Sequence, residues 1–121
     1  MTERITREAE LELTRARRAG ARLAAVQALY QAEQTGQTGQ DVIADFLSDR
    51  LGLGPEGIPI DEADPDLFKD VVSGVVERRM EIDAAITARL AKGWRMERLD
   101  ATTRAILRGA VYELYARHDL T

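Results

Sequence analysis

No cysteine occurs in these 121 residues, which excludes disulfide cross-links and thiolate metal sites and agrees with a reducing cytosol. Proline is scarce. Its three copies, Pro55, Pro59 and Pro65, fall in one short stretch, so long helices can run on either side of it. The single histidine, His118, stands near a helix C-terminus, where the helix dipole favours a cation. A Ser–His–acid triad or an imidazole metal site would have to rest on that one residue, with no partner at a fixed spacing. It reads as an exposed last-turn side chain. No apolar run approaches the roughly 20 residues that span a bilayer. The opening MTERITREAELELTRARR has no apolar core behind its positive charges, so it is not a secretory signal. The expectation is a soluble, cytoplasmic protein with no membrane association.

Two further patterns fall short of a site. Asp61, Glu62, Asp64 and Asp66 form an acidic run, but it lacks the ligand alternation, central glycine and closing Glu of a calcium loop. The glycines of GLGPEG at 52–57 have neither the lysine nor the strand-to-helix turn of a phosphate-cradling loop. Both read as solvated loop. No metal, cofactor or catalytic residue is expected, and enzyme activity is not indicated.

What the chain does contain is Ala, Leu, Glu and Arg, all good helix formers, with 45% apolar residues overall. That composition suits one globular domain. No segment alternates as a strand does, and there is no internal repeat. The expected fold is all-α: a single-domain bundle of about four helices spanning 14–121, preceded by a charged N-terminal extension over 1–13. That extension has both signs of charge and no apolar stripe, which leaves it free to fray or stay disordered. The first helix starts before Arg15 and runs to about Gln34, with Leu23, Val26, Leu29 and Tyr30 at helical steps and Gly36 and Gly39 ending it. A short helix follows from Asp41 as its cap, with Val42, Phe46, Leu47 and Leu51 on one apolar face. A loop follows to Pro65. Asp64-Pro65 then opens a long helix to about Lys92. Its apolar face is Phe68, Val71, Val72, Val75, Ile82, Ile86 and Leu90. Gly74 lies in its interior, at a cost that would be recovered if another helix approached closely there. After Gly93, Asp100 opens the last helix.

Charge is segregated. Residues 1–32 carry six Arg against four acids, 33–66 one Arg against nine acids, and 67–121 ten bases against eight acids, summing to −4. Between Thr14 and Ala32 stand Arg15, Arg17, Arg18 and Arg22 with no acid. On a helix Arg15, Arg18 and Arg22 share a face, and Arg17 is expected beside them. Guanidinium groups grip phosphates bidentately and stack on bases. By spacing alone the cluster suits either a solvated face or a single-stranded nucleic-acid site. A duplex-DNA reader fits less well, because the basic surface is small. Among the aromatics, Phe46 and Phe68 belong on core faces. Trp94 suits either a helix junction or a partner, and Tyr30, Tyr112 and Tyr115 suit an interface border.

Three stretches resemble the NusB family. ARRAGARLAAVQALYQ at 16–31 is similar to its first helix, an arginine-rich start leading into A-V-Q-A-L-Y. DLFKDVVSGVVERRMEID at 66–83 resembles its long helix with F-x-x-x-L-x-G-V, Val72 standing at the Leu position. WRMERLDATTRAILRGAVYELYARHDLT at 94–121 resembles the segment with R-L followed by R-A-I-L-R-x-A-x-Y-E-L. Together these cover about half the chain, in the family's order. The resemblance implies an all-α RNA-binding transcription antitermination factor that pairs with NusE, a small-subunit ribosomal protein. The pair would bind single-stranded boxA RNA on nascent rRNA transcripts and join RNA polymerase with NusA and NusG. Arg18 and Arg22 fall on the family's RNA-site positions. Ala19 and Gly20 stand where relatives often have arginine, with Arg15 and Arg17 as candidates to compensate. Tyr30 and Glu97 fall on positions of the NusE surface. Family members continue with two more helices beyond the point where this sequence stops. Ile106, Leu107, Val111 and Leu114 are therefore expected to be partly uncovered, which would favour a homodimer. Two other readings remain: the NusB-like N-terminal domain of an rRNA cytosine methyltransferase, or a helical protein-interaction module without RNA binding.

Overall fold

A computed structural model of the protein describes residues 2–50 and 63–116, with the side chains of 49 and 50 excepted. Among the described residues there are five α-helices: α1 (Thr2–Thr35), α2 (Gly39–Asp45), α3 (Pro65–Glu77), α4 (Arg79–Thr87) and α5 (Ala101–Ala116). A π-helical turn (Phe46–Arg50) extends α2, and a 3-10 turn (Met96–Arg98) precedes α5. No strand occurs among the described residues. The acidic positions 61 and 62, the GLGPEG loop, Leu51 and His118 lie outside the described residues.

Helix α1 is the spine. It packs against both α3 and α5 through Ala21, Ala24, Ala25 and Ala28, all at or below 2% exposure. Alanines at these steps let the neighbouring backbones come close, and the larger side chains of the partner helices fill the space. Phe68, Val71, Val72 and Val75 from α3 do so, with Phe46 stacked on Phe68 at a ring-centroid distance of 5.7 Å. Each fully buried side chain of this size contributes about 1.5–3 kcal/mol.

The helix starts obey local chemistry. Asp64 Oδ1 accepts from the backbone N–H groups of Asp66 and Leu67, at 3.0 and 3.1 Å, with Pro65 in the first turn. Asp100 caps α5 through the Thr103 N–H (2.8 Å) and hydroxyl (2.9 Å), and the Thr103 N–H above all holds the Asp100 carboxyl below its ordinary value. At α2 the cap is Thr38, whose hydroxyl accepts from the Asp41 N–H at 3.1 Å, so Asp41 lies within the first turn of the helix rather than at its cap. Gly36, at φ +76°, ends α1, whereas Gly39 begins α2.

Three further outcomes differ from the sequence-based expectation. Helix α1 continues without interruption back to Thr2. Residues 2–16 are all exposed, so that part projects from the bundle, held by local i to i+4 bonds such as Arg4–Glu8. The long helix after Pro65 is broken at Arg78, whose φ −110° and ψ 21° leave the helical region. The break re-aims α4 so that Ile82 and Ile86 reach the core and Asp83 meets α5. This raises the count from four helices to five. Finally, Tyr112 is not at a border. It is 8% exposed, and its hydroxyl donates to Asp70 at 2.8 Å. The interior glycine of α3 makes this packing feasible: an ideal Cβ on Gly74 would lie 2.1 Å from the Tyr112 ring.

Candidate nucleic-acid and partner interface

Arg15, Arg17, Arg18 and Arg22 of α1 do not act as one ridge. At about 100° per residue, Arg15, Arg18 and Arg22 fall within about 60° of one another, while Arg17 lies about 100° or more from each. The coordinates follow that arithmetic. Arg17 turns toward the start of α3. Its carbonyl accepts from the Asp64 N–H at 3.0 Å, and its side chain lines a hollow with Thr14, Ala63, Asp64 and Pro65. Arg22 donates through Nε to both carboxylate oxygens of Glu113 on α5 at 3.0 Å, its own side chain staying 43% exposed. Arg15 and Arg18 form no ion pair among the described residues. Arg15 is exposed and Arg18 half-exposed. The outward cationic face is therefore Arg15 and Arg18, flanked by a partly neutralised Arg22.

Beside Arg22 and Glu113 lies an apolar hollow of about 390 Å³ between α1 and α5, lined by Val26, Val71, Ile106, Ala110 and Leu114 among others. Ile106 and Leu114 are exposed there, at 50% and 64%. Leu107 and Val111 instead pack against the core.

On the opposite end of α1, Tyr30 is 42% exposed, and Glu97 lies exposed in the 3-10 turn. An ion network that the spacing did not reveal connects their surroundings. Glu33, one turn after Tyr30, accepts from Arg104 Nε at 3.1 and 3.2 Å and from Arg108 Nη1 at 3.0 Å. Arg108 also grips Asp83 with a fork of 2.8 and 3.0 Å, and Arg79 stands 3.7 Å from the same carboxylate. Arg104 further donates to the carbonyls of Met96 and Leu99. Arg108, at 7% exposure, is the one buried charged residue among those described. Arg104 and Arg108 recur four residues apart on α5, a visible signal. Their acidic partners on α1 and α4 are 71 and 25 residues distant in sequence, and no local pattern names them.

The Arg104 hydrogen bond, chiefly, pulls the Glu33 carboxyl below its ordinary value of 4.5, outweighing the opposing effect of burial. A carboxylate with a depressed folded-state pKa adds stability above its unfolded pKa and loses it as pH falls through the folded value. Urea midpoints measured from pH 7 to pH 3 should therefore fall below about pH 4.5 in the parent, and fall less steeply in Glu33→Gln. Equal slopes would remove Glu33 from the acid response. Arg104 and Arg108 are both raised. In Arg104 the Glu33 bond is the leading cause. In Arg108 burial opposes the charge most strongly, and the Asp83 and Glu33 bonds overcome it.

Among the described residues no cluster of His, Asp or Glu could hold a metal ion, and no helix is long and apolar enough to cross a membrane. Fold and surface define a small all-α bundle that carries the exposed cations Arg15 and Arg18 on one helix and commits Arg22, Arg104 and Arg108 to pairs between helices.

The NusB family model matches residues 19–120. Over 117 residues the chain is 56% identical to the transcription antitermination protein NusB of Hyphomonas neptunium, covering 97% of this chain and 76% of that protein. The NusB protein of Sphingopyxis alaskensis is 53% identical over 103 residues, 85% of this chain and 69% of its own length. That of Brucella suis is 44% identical over 110 residues, 91% of this chain and 64% of its own. The chain belongs to the NusB family. These relatives bear the name of a transcription factor, not of a methyltransferase. Arg22, Tyr30 and Glu97 lie within the family match; Arg15, Arg17 and Arg18 precede it.

Proposed function

We propose that the protein is an RNA-binding transcription antitermination factor. In this reading Arg15 and Arg18, aided by Arg17 and Arg22, hold the phosphates of single-stranded boxA RNA on nascent rRNA transcripts. Tyr30 and Glu97 meet NusE, and the assembly joins RNA polymerase with NusA and NusG in the cytoplasm. One observation carries the reading: two guanidinium groups without internal partners among the described residues sit on one side of an exposed helix, in a chain whose relatives are named antitermination proteins. An arginine whose charge is not spent inside the protein retains its full capacity for a phosphate, and a row at i, i+3 matches a backbone lying along the helix.

Each phosphate neutralised on a single strand contributes about −0.7 to the slope of log K against log salt. Arg15→Ala with Arg18→Ala should weaken boxA binding and flatten that slope by about 1 to 1.5, measured by fluorescence anisotropy with NusE present. Arg22→Ala should flatten it less, because part of that charge already belongs to Glu113. A slope unchanged in the double variant would remove the RNA face from α1.

A further inference from the structure

The segment that carries Glu97 has little of its own to hold it. Residues 91–100 contain no buried side chain; only Met96 and Leu99 are half-buried. Its backbone bonds are short-range: Trp94 N–H to Ala91, Arg98 N–H to Arg95 and Leu99 N–H to Met96, at 2.9, 3.0 and 3.1 Å. It is entered through Gly93 in the left-handed region, φ +91°. A segment so built pays much of its ordering entropy without burial in return. Arg104 supplies the missing restraint. One end of its guanidinium takes the Met96 and Leu99 carbonyls, one on each side of Glu97, and the other end takes Glu33 on α1. Glu33 lies one helical turn beyond Tyr30.

We propose that Arg104 is a positioning residue for the protein-partner surface: it fixes the Met96–Leu99 turn to α1, so that Glu97 and Tyr30 are presented as one rigid unit. The inference rests on the reading that Tyr30 and Glu97 meet NusE. A pre-ordered surface binds more tightly because the cost of ordering it is not charged to the complex. Only a planar fork can serve two carbonyls and a carboxylate at once. Lysine offers a point charge that can still pair with Glu33 but cannot span all three.

The single tryptophan, Trp94, lies in this segment at 54% exposure, so its fluorescence reports the segment's order directly. The experiment compares the parent, Arg104→Lys, Glu33→Gln and Glu97→Ala, each studied well below its own melting midpoint so that only folded molecules are compared. Binding to purified NusE is measured by calorimetry, and Trp94 anisotropy and acrylamide quenching are measured without partner. Arg104→Lys should lower the anisotropy, increase quenching and weaken NusE binding about threefold to tenfold, because the binding-competent turn is populated less. Glu33→Gln leaves the carbonyl bonds in place and keeps a neutral acceptor on α1, so it should lower the anisotropy less than Arg104→Lys and bind more tightly than it at equal loss of stability. If both variants lose affinity only in proportion to their melting midpoints, with Trp94 unaltered, Arg104 is merely structural and the proposal falls. If Glu97→Ala binds as the parent does, or the parent does not bind NusE, the partner reading itself fails, and the positioning role with it.

Discussion

Gly74→Ala is expected to lose about 1–3 kcal/mol of stability, although alanine is the better helix former. The added methyl would lie 2.1 Å from two ring carbons of Tyr112 and 2.6 Å from its hydroxyl oxygen, well inside contact distance. The ring cannot easily step aside. It is buried against α3 and tied to Asp70 through its hydroxyl. Either the helices separate, an overpacking cost of about 1–3 kcal/mol, or the Asp70 bond is lost as well, at about 1–3 kcal/mol more. The gain in helix propensity of about 1 kcal/mol offsets only part of this. Gly109 is the internal control. A Cβ there meets only Val71 Cγ1, at an ordinary 3.7 Å, so Gly109→Ala should be neutral or stabilising by up to about 1 kcal/mol. Urea denaturation measures both. Tyr112→Leu, which removes the obstructing ring carbons, should make the Gly74→Ala cost smaller in the double variant than in the parent. A Gly74→Ala protein as stable as the parent would show that α3 and α5 do not meet as described.

Arg108→Ala should be still more damaging, at about 3–5 kcal/mol, the range for breaking a buried ion pair by removing one partner. Such a loss is a large share of the 5–15 kcal/mol that typically holds a domain of this kind. Arg108 is buried because its fork saturates Asp83 while its remaining donor meets Glu33. Without it two partly buried carboxylates, Glu33 and Asp83, lose the cation they share, Asp83 keeping Arg79 and Glu33 keeping Arg104. The damage should be cooperative: Asp83→Ala added to Arg108→Ala should cost less than the sum of the two, with a coupling of about 0.5–3 kcal/mol. Strict additivity in thermal or urea unfolding would mean that the fork contributes nothing as a pair.

Much of this was open to reading from local pattern. The caps at Asp64 and Asp100 follow from side chains that satisfy free N–H groups within three residues. Phe46, Phe68, Val71, Val72 and Val75 follow from helical periodicity. Other features were not legible. Nothing near Arg78 announces a break, since its neighbours are all helix formers. Asp41 looks like a cap, but Thr38 outcompetes it because only Thr38 stands outside the first turn. The apparent unity of the four arginines dissolved when Glu113, 91 residues away, took Arg22, and when the start of α3 came to lie beside Arg17.

By itself the sequence determined the all-helical class, the helix starts at Asp64 and Asp100 and most of the core, because hydrogen bonds within a helix and the period of its apolar face act over a few residues. Tertiary structure alone decided which charges are spent and which are free. Ion pairing depends on distance in space, and the carboxylates that claim Arg22, Arg104 and Arg108 arrive from other helices. On α1 folding claims Arg22 and turns Arg17 aside, and Arg15 and Arg18 stay facing outward.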